Sequence, residues 1–127
     1  MAKSKEQLRA EHVWAKVSAN GGCPADYVKL VKGLPALIMN SGLLQVLAFL
    51  QEKSQNNPPH SRLLSELREW LGLQWPDLKS DDFGRFMRSL MAMPSGDYQR
   101  VTSEAFSWLR WTRQFAAASQ ANRKNTP

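Results

Sequence analysis

Apolar residues in this chain recur every three to four positions almost from end to end. In the last third, Tyr98, Val101, Ala105, Trp108, Leu109, Thr112, Phe115 and Ala116 keep one register over about five turns. Residues so spaced share one side only if the backbone is α-helical. No sustained period-two alternation and no Asn-Gly or Asp-Gly hairpin turn competes with that reading. The expected fold class is therefore all-α. We expect a single-domain bundle of about six helices over residues 1–127, with a central buried helix and a long C-terminal one.

Turn chemistry divides the pattern. Ser4 with Gln7 forms a capping box for a first helix carrying Ala10, Val13, Trp14 and Val17, which Asn20-Gly21-Gly22 stops. Pro24 opens a second helix through Tyr27, Leu30, Val31 and Leu34. Gly33 and Pro35 should break or kink it, leaving a short piece with Leu37 and Ile38 before Asn40-Ser41-Gly42. The third helix, Leu43 to Lys53, is apolar nearly all round at its start, which predicts a central, covered position. After a Ser54–Pro59 loop, Ser61 should cap a fourth helix with Leu63, Leu64, Leu67, Trp70 and Leu71 inward. A connection runs from Gly72 to Lys79. Ser80 then caps a fifth helix, with Asp81 and Asp82 in its first turn and Phe83, Phe86, Met87 and Leu90 on one face. The last helix follows Pro94-Ser95-Gly96. Residues 1–3 and 121–127 read as frayed ends.

Charge bounds the partners. Seventeen Lys and Arg against eleven Asp and Glu give a net charge of +6, which suits a phosphate-bearing partner. The single cysteine, Cys23, forbids an internal disulfide and fits a reducing compartment. No apolar run follows the basic N-terminal residues, and Leu43–Leu50 is far too short to span a bilayer. The expectation is a cytoplasmic protein with no membrane partner.

The sequence offers no catalytic constellation. There is no glycine-rich phosphate loop, and the few metal-ligating types, His12, His60 and Cys23, stand in separate segments without paired spacing. Asp81 and Asp82 point about 100° apart on a helix and serve its N-terminus. We expect no enzyme activity, no cofactor and no metal.

The basic residues are more informative. Lys29 and Lys32, Arg85 and Arg88, and Arg110 and Arg113 are pairs at i, i+3. That spacing sets both members on one side of a helix. Each pair fits a solvated face and also fits an anion-binding one. On the last helix Phe106, Arg110, Arg113 and Ala117 lie together opposite the core stripe. An aromatic beside two arginines suits RNA or a protein partner, while Phe106 packed under a neighbouring helix would explain the same spacing.

Between Tyr27 and Phe49 the order Lys32, Leu34-Pro35, Leu37-Ile38, Asn40-Ser41-Gly42-Leu43, Ala48-Phe49 resembles the small helical subunit of type III-B CRISPR (Cmr) effector complexes. The segment from Ala105 to Ala117 is similar to that family's C-terminal helix. The resemblance runs from the first helix to about Ala118. It implies a non-catalytic, all-α subunit of an RNA-guided antiviral complex. Copies would stack head to tail as its minor filament, beside other subunits, and hold the backbone of guide and target RNA. Lys29 and Lys32 lie in the matched second helix, and Arg110 and Arg113 in the matched last one. Arg85 and Arg88 lie where the likeness is loose and rest on spacing and charge. Two other readings remain. A stand-alone helical DNA-binding regulator would need a recognition helix, and no helix-turn-helix spacing stands out. A small hydrolase would need Cys23 as a reactive thiol.

Overall fold

The structure, a computed structural model, describes residues 2–124. Six α-helices carry the chain: α1 (Lys5–Ser18), α2 (Ala25–Ser41), α3 (Leu43–Lys53), α4 (Pro58–Gln74), α5 (Phe83–Ala92) and α6 (Ser95–Lys124). Short 3-10 turns cover Ala19–Gly21 and Pro76–Leu78, and no strand occurs among the described residues. The all-α fold class expected from the sequence is what is found.

Three contacts set the direction of α1 against α6. Arg9 meets Glu104, His12 meets Trp108 and Trp14 meets Phe115, so the two helices run parallel. α2 packs on α6 in the opposite sense, because the Leu44 amide just beyond its end donates to the Tyr98 hydroxyl at 3.3 Å, near the start of α6. α4 packs against both α2 and α6, and α3 packs on α2 and α4. The largest fully buried side chains are Trp108, Tyr27, Phe86 and a set of leucines. Each apolar stripe named above contributes to one contiguous core.

Ser4 caps α1 as expected. Its hydroxyl accepts from the Gln7 amide at 3.1 Å, and the Ser4 amide donates to the Gln7 side-chain oxygen at 2.8 Å. Elsewhere the boundaries differ from the sequence expectation. Pro35 neither breaks α2 nor leaves a separate short piece, because α2 runs unbroken to Ser41. An internal proline costs about 3 kcal/mol. Burying Val31, Leu34 and Ile38 around it contributes about 1.5–3 kcal/mol each, which outweighs that cost. Replacing Pro35 with alanine should therefore raise stability by about 1–2 kcal/mol, through the restored amide bond to the Val31 carbonyl, read as a higher urea midpoint. An unchanged or lower midpoint would mean the ring itself packs usefully.

The α2–α3 turn is only one residue long. Gly42 has φ 85°, donates to Ile38 at 2.7 Å and accepts from Val46 at 3.2 Å, so the two helices share it as a joint. α3 is buried along Leu43, Val46, Leu47 and Leu50, while Gln45 and Ala48 are exposed. It is covered on one side, and the central packing falls to α4 and α6 instead. α4 starts at Pro58 with Asn57 before it, not at Ser61, since proline suits a first turn that needs no amide donor. It also continues through buried Gly72 to Gln74. A Cβ on Gly72 would come within 3.1 Å of the Lys79 backbone, so this glycine admits the returning loop rather than ending the helix. Asp82, not Ser80, caps α5 by accepting from the Gly84 amide, while the Ser80 hydroxyl accepts from the Asp82 amide. At the C-terminal end α6 stays helical through Lys124, past the point where fraying was expected. Residues 1 and 125–127 of the expected frayed ends lie outside the described residues.

Candidate nucleic-acid interface

Whether a cation is free to meet a ligand depends on which carboxylates the fold sets beside it. Several of these groups are held in internal clusters. Glu104, 7% exposed, accepts from Arg9 Nε at 2.7 Å, Arg9 Nη2 at 2.9 Å and the Trp70 indole at 2.9 Å, with Lys5 at 3.3 Å. Burial raises its pKa, but the hydrogen bonds from Arg9 and Trp70 outweigh that and hold it below the usual carboxylate range. Glu66 accepts from the Tyr27 hydroxyl and from Arg62 Nε at 3.0 Å. Arg62 also donates to the Lys16 carbonyl at 2.7 Å and the Gly22 carbonyl at 2.9 Å, closing the α1–α2 turn. Arg68 donates to the Ser80 carbonyl at 2.8 Å and lies over Phe83 and Phe86. Lys5, Arg9, Lys16, Arg62 and Arg68 thus serve the fold.

His12 forms a further cluster. Its Nδ1 accepts from the Trp108 indole at 3.0 Å, so the ring proton sits on Nε2 and is donated to Glu69 at 2.8 Å. Burial lowers the imidazole pKa below 6.5, against the pull of Glu69. A proton added at Nδ1 would face the Trp108 N–H. The unfolded chain binds this proton more readily, so the stability is complete above pH 6.5 and declines as pH falls below it. Glu104 and Glu69, both held low, add their losses only below pH 4.5. A plot of Tm against pH should bend first near 6.5, and His12→Gln should remove that first bend. A curve flat down to pH 4.5 would contradict the assignment.

The six cations singled out in the sequence are all exposed. Lys29, Lys32, Arg85, Arg110 and Arg113 make no hydrogen bond or ion pair with any other described residue, and Arg88 reaches only Asp82, at 4.0 Å. Lys29 and Lys32 lie on α2 turned away from Val31, Leu34 and Ile38, and Arg110 and Arg113 on α6 turned away from Trp108 and Thr112. The antiparallel packing of α2 and α6 relates the two pairs. Counted from the Leu44–Tyr98 contact, Lys32 and Arg110 each lie twelve residues away, and Lys29 and Arg113 fifteen. The two pairs thus stand on helices that pack against each other. Arg85 and Arg88 stand apart on α5, which packs on the 76–78 turn. Phe106 is half-buried and packs on the core, so the bland explanation for this aromatic is the correct one. The exposed aromatic is instead Trp14, at 46%, in an edge contact of 5.4 Å with Phe115, which meets Trp111 at 5.2 Å; both of these, like Phe106, are half-buried against the core.

Cys23 is 1% exposed, with its thiol directed at the Val17 carbonyl at 3.6 Å, so it is out of reach of any substrate. No group of three or more His, Cys, Asp or Glu among the described residues is placed to hold a metal ion. No helix among them is long and apolar enough to cross a membrane.

Residues 5–119 match the family model described as CRISPR-associated protein (Cas_Cmr5). The chain is similar to the CRISPR system Cmr subunit Cmr5 of Thermus thermophilus, with 26% identity over 118 residues, 91% of this chain and 96% of that one. Its fold is similar to the X-ray crystal structure of a CRISPR-associated Cmr5 family protein from Thermus thermophilus. The TM-score is 0.73 at 26% identity, covering 92% of this chain and 97% of the other.

Proposed function

We propose that this chain, which belongs to the Cmr5 family of CRISPR-associated proteins, is the small non-catalytic subunit of a cytoplasmic type III-B Cmr complex. Within that complex it holds RNA by its phosphates. The observation that carries this reading is the set of four exposed cations, Lys29, Lys32, Arg110 and Arg113, on the packed helices α2 and α6, none with an ion pair among the described residues. Each can neutralise a phosphate of guide or target RNA, and arginine can grip one bidentately. Helix surfaces of this kind position a strand without reading its bases, so sequence is left to guide–target pairing. Copies stack head to tail through two different patches beside the larger subunits, the arrangement that generates a filament. The family gives no support to the DNA-binding regulator.

The test is binding of the isolated chain to single-stranded RNAs of unrelated sequence and to duplex DNA. Equal, salt-sensitive affinity for the RNAs supports this reading. Sequence-selective binding to one DNA duplex would replace it with the regulator.

A further inference from the structure

Arg68 serves the fold through one nitrogen and leaves the rest of its fork unmatched. Its Nη2 donates to the Ser80 carbonyl at 2.8 Å, and the guanidinium carbon lies 5.7 Å from the Phe83 ring centre and 5.1 Å from that of Phe86. These contacts fix its plane. Its Nε–H is enclosed without an acceptor among the described residues, and none of their carboxylates forms an ion pair with it. Burial lowers its pKa, and the attraction of Asp81 and Asp82, beyond ion-pair contact, does not make up the loss. A desolvated cation with unmatched donors is costly, so this place is short of an acceptor. An open cavity of about 330 Å³ adjoins it between α4 and the 79–81 loop, lined by Arg68, Glu69, Gly72, Leu73, Lys79 and Asp81. Lys79 is exposed and has no ion pair among the described residues. Glu69 is already held by His12 and Lys16, each at 2.8 Å. Two cations against one uncommitted carboxylate, exposed Asp81, leave the wall with a surplus of one positive charge. Leu73, 57% exposed, adds an apolar side to it.

We propose that this cavity receives the carboxylate of an aspartate or glutamate side chain from a neighbouring protein chain. A carboxylate matches the planar, pre-oriented guanidinium, and Lys79 supplies a second cation. Leu73 gives the methylene stem an apolar surface to lie on. Because Nε is enclosed, the entering oxygens meet Nη1, which also lacks an acceptor among the described residues, and Nε senses them through the shared guanidinium. A nucleic-acid strand fits less well, since it brings a charge at every residue against Asp81. One acidic side chain brings the single charge that the wall lacks. The α4–α5 side of the molecule thus faces protein, while the α2–α6 face is left for RNA. This goes beyond the RNA-holding reading, and its first test needs no complex.

The test has two arms. In the isolated 127-residue chain, N-acetyl-glutamate methylamide should cause a saturable shift of the Arg68 Nε–H NMR signal. The neutral N-acetyl-glutamine methylamide should not, and dimethyl phosphate should not saturate it at the same concentrations. Lys79→Ala, an exposed change that leaves Arg68 in place, should weaken the glutamate binding about two- to fivefold. In the assembled particle, Lys79→Glu should lower co-purification of the chain with its partner subunits by about tenfold, while its RNA binding in isolation is kept. The proposal is overturned if the glutamate compound causes no saturable shift, if the glutamine compound or dimethyl phosphate shifts the signal equally, or if the Lys79→Glu chain assembles normally.

Discussion

Glu104→Ala is expected to lower stability by about 3 kcal/mol or more, a large fraction of the roughly 5–15 kcal/mol that holds a typical domain folded. The carboxylate is 7% exposed and is the common acceptor for Arg9 on α1 and Trp70 on α4. Removing it strands a guanidinium whose side chain is only 15% exposed, together with a buried indole N–H. Each lost partner leaves a desolvated donor, and the charged one dominates. The ion pair itself need not be net stabilising, since its own desolvation opposes it. Arg9→Met combined with Glu104→Met should therefore recover most of the loss, and urea unfolding of the two singles and the double reads the coupling directly. A single-mutant loss below about 1 kcal/mol would mean the cluster is dispensable.

Reversing Lys29, Lys32, Arg110 and Arg113 to glutamate should leave the fold intact and cut RNA affinity by a factor on the order of a hundred. All four positions are exposed and touch no described charged partner, so each change should move stability by less than about 0.5 kcal/mol. A contacted phosphate contributes about 0.7 to the salt slope of single-strand binding, so losing four should flatten it by about 3. Net charge alone would also weaken binding, because the chain starts at only +6. A control with Lys53, Lys79, Arg85 and Arg88 reversed carries the same change elsewhere and should retain most of the affinity. Equal losses in the two variants would show that the α2–α6 face has no special part.

The helices were legible in the sequence because apolar periodicity is a local property that burial then reinforces. The Ser4 capping box and the Val101 to Ala116 stripe needed nothing beyond their own neighbours. Boundaries failed where tertiary packing outweighed local preference. Pro35 stays helical because Val31, Leu34 and Ile38 are buried around it, and Gly72 continues α4 because Lys79 returns against it. The outward position of the six cations was legible as well, being the complement of the core stripes. Which basic residues were already committed was not. Arg9 and Arg62 look like surface residues until distant Glu104 and nearby Glu66 engage them. One signal was available: Glu104 stands within the inward stripe between Val101 and Trp108, a position that calls for a donor partner.

The most direct measurement of the central claim is a tagged pull-down of this chain from its native host. Particle mass, protein content and RNA content should be determined on the same sample. A large assembly holding several other subunits and short RNAs of uniform length is the predicted result. A lone 14.4 kDa protein free of RNA would contradict it.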